Sequence, residues 1–270
     1  MSATKERLDV LLVNKGMEVT REKAKILVMS GNVFVDNIRI DKPGTLVKID
    51  SNITISGTAC PYVGRGGLKL EKALKEFDIE TEHKVFLDVG ASTGGFTDCL
   101  LKNGASMVYA LDVGFGQLAW KLRTDNRVVV MERTNIRKAT PAMFDSVLNG
   151  AVVDVSFISL KLVLPAVKGL IAETADIIAL LKPQFEAGKG RVNRKGVVTD
   201  SKVHIEVLND LAVFCQREKL SLLALTFSPL KGPSGNIEFL MHLRKDNIGI
   251  RTIPMDEIES LVVRAHTQLK

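Results

Sequence analysis

The strongest constraint on the fold is a series of short apolar segments that alternate with helical patterns through the C-terminal part of the chain. The helical patterns include residues 68–77, 96–101 and 201–217. The apolar segments are 85–89, 107–111, 128–131, 151–153, 177–181, 222–227 and 238–243. Strands that alternate with helices favour parallel pairing, because each parallel pair needs a crossover connection. The sequence therefore predicts an α/β fold with a doubly wound, mostly parallel, Rossmann-like sheet.

The beginning of the chain follows a different, α+β pattern. Two amphipathic helices, 7–15 and 21–30, precede a hairpin with strands 33–35 and 38–40 and a turn at Asp36 and Asn37; a further strand follows at 46–49. Residues 57–67, GTACPYVGRGG, carry no periodicity and are typical of a domain junction. We predict a small domain at 1–60, a linker at 61–66 and a larger domain at 67–270, which suits a chain of 270 residues.

Composition excludes several classes of protein. The chain is 46% hydrophobic and 25% charged, which excludes a wholly disordered or fibrous protein. No window approaches the roughly 20 apolar residues of a membrane span, and the N-terminus lacks the apolar core of a signal peptide; we therefore predict a cytoplasmic protein without membrane association. The three cysteines form no CxxC or Cys/His cluster, which predicts free thiols and no metal site. The net charge of +6 is compatible with a nucleic-acid partner but does not identify one.

The first apolar segment of the larger domain leads into a glycine-rich turn, residues 88–97, DVGASTGGFT. Such glycines let a ligand approach the backbone closely. The spacing GxxxGG disfavours a dinucleotide fingerprint, and the absence of GxxxxGK[ST] excludes a P-loop. Asp112 follows the second strand, where a carboxylate can accept hydrogen bonds from ribose hydroxyls. A tight turn beside a solvated Asp112 is the alternative interpretation.

Two more polar residues directly follow predicted strands: Asp154 and Lys182. Ligands of open parallel sheets bind beyond the carboxyl ends of the strands, so Asp154 is placed for function. A lysine at the end of a buried strand is unusual, because an unpaired ammonium is costly to bury; the alternative is a lysine that extends to solvent. Lys69 and Glu238 fit ordinary surface charges on pattern alone.

The second N-terminal helix begins with Arg21, Lys23 and Lys25 against a single acid, Glu22, while Arg7 opens the first helix. A solvated charged face and a phosphate-contacting surface both fit this pattern.

Residues 7–47 carry a resemblance to an S4 RNA-binding domain that covers roughly residues 5–60. The similarity lies in Arg7-Leu8-Asp9, the Thr20-Arg21-Glu22 helix start, Gly31, Val33 and Lys42-Pro43. The resemblance implies that this domain binds structured RNA by shape and phosphate contacts. The implied RNA-binding residues are Arg7, Arg21, Lys23, Lys25 and Lys42, with Arg65 on the RNA path just after the junction.

The glycine turn together with Asp112 resembles the S-adenosylmethionine site of class I methyltransferases. The cofactor-binding residues that this implies are Asp88, Gly90, Ala91, Ser92, Gly94, Gly95, Phe96, Thr97, Asp112, Val113 and Asp154. The order Lys69, Asp154, Lys182, Glu238 resembles the catalytic tetrad of FtsJ-like RNA ribose 2′-O-methyltransferases. The motifs VGRGGLKLEKAL, VDVSFISL, LLKPQFEAGKG and GNIEF follow in order, so the whole chain resembles the TlyA family, which joins an S4 domain to such an enzyme.

The resemblance implies that S-adenosylmethionine donates a methyl group to the 2′-hydroxyl of cytidine in ribosomal RNA, presented within ribosomal subunits. A ribose hydroxyl is a poor nucleophile until a base removes its proton, and in-line alignment with the sulfonium methyl provides much of the rate. Lys182 is the candidate for orienting and deprotonating the hydroxyl. Asp154 would position Lys182, and Glu238 would orient both lysines of the tetrad.

The target nucleotide must leave its stack to reach such a pocket. Phe157 and Phe115 are candidates to stack on the target base or the cofactor, with core packing as the alternative. The loop 184–195 carries Lys189 and Arg191, which suit RNA phosphates, with a solvated loop as the alternative.

Three other functions compete with this hypothesis. Proteins that resemble this family have been called haemolysins, but no membrane-active segment is evident. An S4-type RNA-binding factor without catalysis is disfavoured by the complete tetrad and intact glycine loop. A nicotinamide-dependent dehydrogenase is disfavoured by the loop spacing.

Overall fold

The computed structural model describes residues 4–29, 31–36, 38–55, 60–188, 190–232, 234–245 and 249–269. The chain forms two compact units, Met1–Leu68 and Lys69–Lys270. Residues 57–59 of the predicted junction segment 57–67 lie outside the described residues. The division at 1–60, 61–66 and 67–270 therefore stays a prediction.

The first unit packs two helices against short antiparallel strands. Strand β4 pairs with β1, and a second sheet has the order β3-β2-β5. Leu8, Leu11, Leu12, Ala24 and Val28 bury one side of both helices against the strands, as the helical spacing predicts. The elements are β1 (Lys5–Arg7), α1 (Leu8–Asn14), α2 (Arg21–Met29), β2 (Val33–Val35), β3 (Ile38–Arg39), β4 (Leu46–Lys48) and β5 (Ile53–Ile55).

The predicted hairpin is confirmed, with Phe34 opposite Arg39 in the β2–β3 pair. Asp36 lies in its turn at a φ of 51°. Two predicted positions, Asn37 in the turn and Ser30 at the end of the second helix, lie outside the described residues. The start of the first helix at Arg7 is wrong by one residue, because Arg7 ends β1 and its backbone is extended.

The second unit is a seven-stranded sheet with the order β11-β12-β10-β9-β6-β7-β8. Every strand runs in one direction except β12, which is antiparallel to both of its neighbours, so the mostly parallel sheet is confirmed. Helix α3 begins in the last residues of the first unit. The elements are α3 (Gly66–Glu76), β6 (Val85–Val89), α4 (Gly95–Lys102), β7 (Met107–Leu111), α5 (Trp120–Arg123), β8 (Val128–Met131), β9 (Leu148–Val153), α6 (Leu164–Leu170), β10 (Ile171–Leu181), α7 (Pro183–Glu186), α8 (Ser201–Arg217), β11 (Leu220–Phe227), β12 (Phe239–Lys245) and α9 (Met255–Gln268).

Three features of this unit differ from the sequence prediction. Strand β10 begins at Ile171, before an irregularity in its pairing with β9. Strand β12 begins at Phe239, so Glu238 precedes the strand instead of opening it. Helix α9 was not predicted, although Ile258, Leu261, Val262 and Ala265 bury one of its faces.

The core of the second unit lies around the central strands. Strands β6 and β9 and residues 177–181 of β10 are mainly apolar, because helices cover a parallel sheet on both faces. Cys99 and Cys215 are buried, and Cys60 is half-buried. Within the described parts of the chain, no helix is long and apolar enough to cross a membrane.

Candidate active site

A cavity of about 430 Å³ opens where the parallel strands β6, β7 and β9 end. Open α/β sheets bind ligands at this edge, and the volume lies within the usual range of small-molecule sites. Its lining combines apolar side chains with a few polar groups. The lining residues are Val89, Gly90, Ser92, Leu111, Asp112, Val113, Gln117, Asn135, Ile136, Asp154, Val155, Ser156, Phe157, Ile158 and Val163.

The glycine turn after β6 brings backbone to the floor of this cavity. Gly90 has a φ of 87°, a conformation that L side chains rarely adopt. A β-carbon at this position would overlap the backbone carbonyl oxygen of Asp154. The Gly90 N–H donates to the Leu111 carbonyl oxygen at 2.8 Å. Gly90 thus joins the ends of three strands at a point where any side chain would separate them.

Asp88 is the one carboxylate of the turn that is fully buried. Thr97 Oγ1 donates to its Oδ2 at 2.6 Å, while Oδ1 has no hydrogen-bond partner among the described residues. Burial raises the pKa of Asp88 to about 7, against the lowering effect of the Thr97 hydrogen bond. The turn therefore holds a buried polar oxygen that still has an unused hydrogen-bonding capacity.

Asp112 is fixed at the end of β7 by backbone donors. Its Oδ2 accepts the Ser92 N–H at 2.8 Å, and its Oδ1 accepts the Gly114 N–H at 2.6 Å. Each carboxylate oxygen has two lone pairs, so the group can accept further hydrogen bonds from a ligand. This geometry suits the predicted recognition of ribose hydroxyls.

The predicted cofactor residues divide into two groups. Five of them line the cavity: Gly90, Ser92, Asp112, Val113 and Asp154. The remaining six build the turn behind it: Asp88, Ala91, Gly94, Gly95, Phe96 and Thr97. At Gly94, for example, the Leu118 and Leu122 side chains occupy the space that a β-carbon would need. Gln117 and Asn135 line the cavity but were missed, since each lies in a loop without a recognisable pattern.

The four predicted catalytic residues form two ion pairs. Lys182 Nζ lies 2.7 Å from Asp154 Oδ1, in an ion contact without the angles of a hydrogen bond, and both side chains are largely buried. Lys69 Nζ donates to Glu238 Oε2 at 2.5 Å, and this pair is more deeply buried. Buried charges are tolerated when they are paired in this way.

Strand register brings the two ion pairs to the same edge of the sheet. Leu181 of β10 pairs with Phe239 of antiparallel β12. The next residues outward from that pair are Lys182 and Glu238. Because β12 runs against its neighbours, it begins where β9 and β10 end, which is how Glu238 reaches this edge.

Two supporting residues of the tetrad were missed by the sequence analysis. Lys182 Nζ donates a hydrogen bond to Ser156 Oγ at 2.9 Å. A β-carbon on Gly232 would overlap Glu238 Oε1, so that carboxylate fits only against a glycine. The motif VDVSFIS contains Ser156, but nothing in its spacing indicates a contact with Lys182.

Two exposed aromatic side chains follow strands that end at the cavity. Phe157 lines it and has 91% of its surface exposed, and the centroid of its ring lies 5.1 Å from that of Phe185. Phe115 is 66% exposed, with the Arg133 guanidinium 4.3 Å from its ring centroid. Core packing, the alternative interpretation of both phenylalanines, is wrong because both side chains face solvent.

The predicted RNA-binding residues of the first unit fall into three settings. Arg7 and Arg21 both hydrogen-bond to the buried Asp9 carboxylate at 3.0 Å, and these bonds, led by that from Arg7, lower the pKa of Asp9. Lys23 and Lys42 are exposed and Lys25 is half-buried. Arg65 is largely buried, lies 3.6 Å from Asp41 and packs against Gly31.

In the second unit, Arg191 forms an ion pair with Glu206. Lys189 lies outside the described residues. The described residues contain no group of three or more His, Cys, Asp or Glu side chains that could hold a metal ion.

Comparison with known proteins matches both units to families. The sequence matches the family model "FtsJ-like methyltransferase" over residues 62–245 and the "S4 domain" over residues 6–53. YqxC of Bacillus subtilis, which carries the provisional name of an rRNA methyltransferase, is 52% identical over 100% of this chain and 97% of its own. The 16S/23S rRNA (cytidine-2′-O)-methyltransferase TlyA of Mycobacterium tuberculosis is 42% identical over 97% of this chain and 98% of its own.

A solved structure also covers nearly the whole chain. It comes from Streptococcus thermophilus and is described provisionally as a hemolysin. It shares 44% identity and a TM-score of 0.80, over 99% of this chain and 98% of that one.

Proposed function

The chain belongs to the TlyA family of S4-containing, FtsJ-like methyltransferases, and on that premise we propose that it methylates the 2′-hydroxyl of cytidine in ribosomal RNA. The proposed methyl donor is S-adenosylmethionine. The proposed substrate is ribosomal RNA within ribosomal subunits, which implies a cytoplasmic site of action.

Asp154 carries the proposal, because it takes part in two arrangements at once. It lines the cavity at the strand ends and it contacts Lys182 Nζ at 2.7 Å. Methyl transfer to a hydroxyl requires a proton acceptor close to the bound donor. A lysine held beside the cavity by one of its lining residues meets that requirement.

The cavity fits the proposed donor in size and in chemistry. Asp112 offers a fixed carboxylate to ribose hydroxyls, and Gly90 lines the same cavity. We expect Gly90, Ser92, Asp112 and Val113 to hold the donor, which when bound supplies an electrophilic methyl group.

The tetrad residues then have distinct proposed roles. Lys182 Nζ first releases to solvent the proton that makes it the cation of the Asp154 pair, and then accepts the proton of the ribose 2′-hydroxyl. Asp154 and Ser156 fix the direction of Lys182 through contacts at 2.7 and 2.9 Å. Lys69 and Glu238 neutralise each other's buried charge. Glu238 lies next to Lys182 in the register of β12 and β10, and is proposed to orient it.

Basic residues and one exposed aromatic residue supply the proposed RNA contacts. We expect Arg7, Arg21, Lys23, Lys25 and Lys42 to bind phosphates, with Arg65, Lys189 and Arg191 at further points of the RNA path. Phe157 is the proposed stacking partner of the target base, since it is exposed and borders the cavity.

The proposal is tested by incubating the protein with labelled S-adenosylmethionine and ribosomal subunits and mapping ribose methylation. Lys182→Ala should lower the rate at least 100-fold, which is about the usual contribution of a general base, while RNA binding stays intact. Lys182→Arg keeps the positive charge but cannot accept a proton, so it should be equally inactive. Lys202→Ala, at an exposed surface position, is the matched control. Turnover of Lys182→Ala close to that of the control would overturn the assignment.

The same preparation separates the alternatives. A haemolysin would release dye from liposomes without ribosomal subunits. A non-catalytic RNA-binding factor would bind subunits but transfer no label.

A further inference from the structure

The loop that follows β9 contains a residue in a strained conformation. Phe157 has a φ of 63° although it is bulky and is not glycine. The left-handed region costs an L residue about 1–2 kcal/mol, so it persists only where surrounding contacts determine it. The ring itself does not provide those contacts, since 91% of the side chain is exposed.

Glu186 supplies contacts that fix this loop. Its Oε2 accepts a hydrogen bond from Ser159 Oγ at 2.6 Å, and its Oε1 accepts one from the Leu160 N–H at 2.7 Å. Both donors lie two to three residues after Phe157. The Leu160 side chain is 1% exposed, so its backbone is anchored in the core as well.

The residue that provides these bonds belongs to the segment that carries Lys182. Helix α7 begins directly after Lys182 and ends at Glu186. Phe185, on the same turn, lies beside Phe157 with 5.1 Å between the ring centroids. The turn therefore joins the end of β10 to the end of β9, behind the Lys182–Asp154 contact.

We propose that Glu186 is a positioning residue, which clamps the Phe157 loop to the α7 turn and so holds the Phe157 ring at the mouth of the cavity for stacking on the target base. The inference rests on the proposed function for the identity of the stacked base. The clamp itself is defined by the two hydrogen bonds and the ring contact.

The clamp depends on hydrogen bonds and not on negative charge. A glutamine at this position can accept the Leu160 N–H with its amide oxygen and donate its NH₂ to Ser159 Oγ. Glu186→Gln should therefore keep activity within about twofold of wild type, whereas an acid–base or purely electrostatic role would be lost. Glu186→Ala removes both bonds and should lower kcat/KM for RNA about tenfold, mainly through KM, which corresponds to about 1.4 kcal/mol of lost stacking.

The decisive measurement is a double-mutant cycle with hydrogen exchange. If Glu186 acts through Phe157, Glu186→Ala combined with Phe157→Ala should be no slower than Phe157→Ala alone. Exchange of the Leu160 amide should accelerate in Glu186→Ala and stay slow in Glu186→Gln. Glu259→Ala, on an exposed part of α9, is the control and should change neither readout.

Two results would overturn the clamp: multiplicative losses in the double mutant, or a Leu160 amide that stays protected in Glu186→Ala. If wild type transfers no methyl group to RNA, the proposed function fails, and the exchange measurement still decides whether the clamp exists. If Glu186→Ala does not fold, Ser159→Ala removes one of the two bonds and should lower kcat/KM about threefold.

Discussion

Replacing Gly90 by alanine tests the site at the point where its backbone is most crowded. Two effects add at this position. The φ of 87° costs an L residue about 1–2 kcal/mol. The new methyl group would overlap the carbonyl oxygen of Asp154 and lie 3.0 Å from its carbonyl carbon. That neighbour is backbone in a central strand end and cannot move cheaply, so overpacking adds about 1–3 kcal/mol.

Gly90→Ala should therefore lower the free energy of unfolding by about 3 kcal/mol, or the melting temperature by about 6–12 °C for a domain of this size. Because the overlap pushes Asp154 outward, donor affinity should fall at least about tenfold. Circular dichroism melting measures the first effect. Isothermal titration with S-adenosylhomocysteine, the demethylated form of the proposed donor, measures the second.

Two other glycines serve as controls that separate the cost of the backbone conformation from the cost of overpacking. Gly116 has a φ of 73°, and no described atom lies within 4 Å of the place that an alanine methyl group would take, so Gly116→Ala should show only the conformational cost. Gly169 lies in helix α6 with ordinary φ and equally open surroundings, so Gly169→Ala should be neutral or stabilise by up to about 1 kcal/mol. If Gly90→Ala loses no more stability than Gly116→Ala, the argument from crowding is refuted.

Three further perturbations concern buried titratable groups. Burial lowers the pKa of His204 to about 4, so the stabilisation from the neutral ring is complete above pH 6.5 and decreases as the solution becomes more acidic. Between pH 7.5 and pH 5, the free energy of unfolding of wild type, measured in urea, should fall by about 2 kcal/mol relative to that of His204→Phe. Burial raises the pKa of Asp88 from 3.8 to about 7, so the unfolded chain loses this proton first and the free energy of unfolding falls between about pH 4 and pH 7, then levels off. Asp88→Asn should therefore stabilise the protein more at pH 8 than at pH 5; an equal gain at both would contradict this. Asp9→Asn should destabilise the first unit by about 2 kcal/mol, because it weakens the bonds from Arg7 and Arg21; filter binding should show weaker RNA retention, and unchanged melting would contradict the role of Asp9.

Periodicity predicted the central sheet because strands buried on both faces must be apolar throughout. The ends of β6, β9 and β10 were predicted within a residue, and with them the positions of Asp88, Asp154 and Lys182. Short elements were harder. Strands β1 and β5 have three residues each, and unlike β2 neither is an unbroken apolar run beside a recognisable turn. Their pairing depends on neighbours that are distant in sequence.

The contacts between site residues depend on the order of the strands in the sheet, which cannot be predicted from the spacing of residues in the sequence. Lys69 and Glu238 are 169 residues apart, and only family resemblance linked them. Glu186 gave no signal, since a carboxylate that accepts a backbone N–H has no characteristic sequence pattern. Gly232 also gave no signal, because the need for a glycine at this position follows only from the Glu238 side chain that packs against it.

The antiparallel strand β12 also determines when, during synthesis of the chain, the tetrad can first be complete. Ribosomes make the chain from its N-terminus, so Lys69 and the cavity-forming strands are synthesised long before Glu238. Until β12 inserts between β10 and β11, Lys69 has no Glu238 carboxylate to neutralise it. A nascent chain therefore carries an incomplete tetrad after its cavity-forming strands have been made, until β12 follows them and takes its place in the sheet.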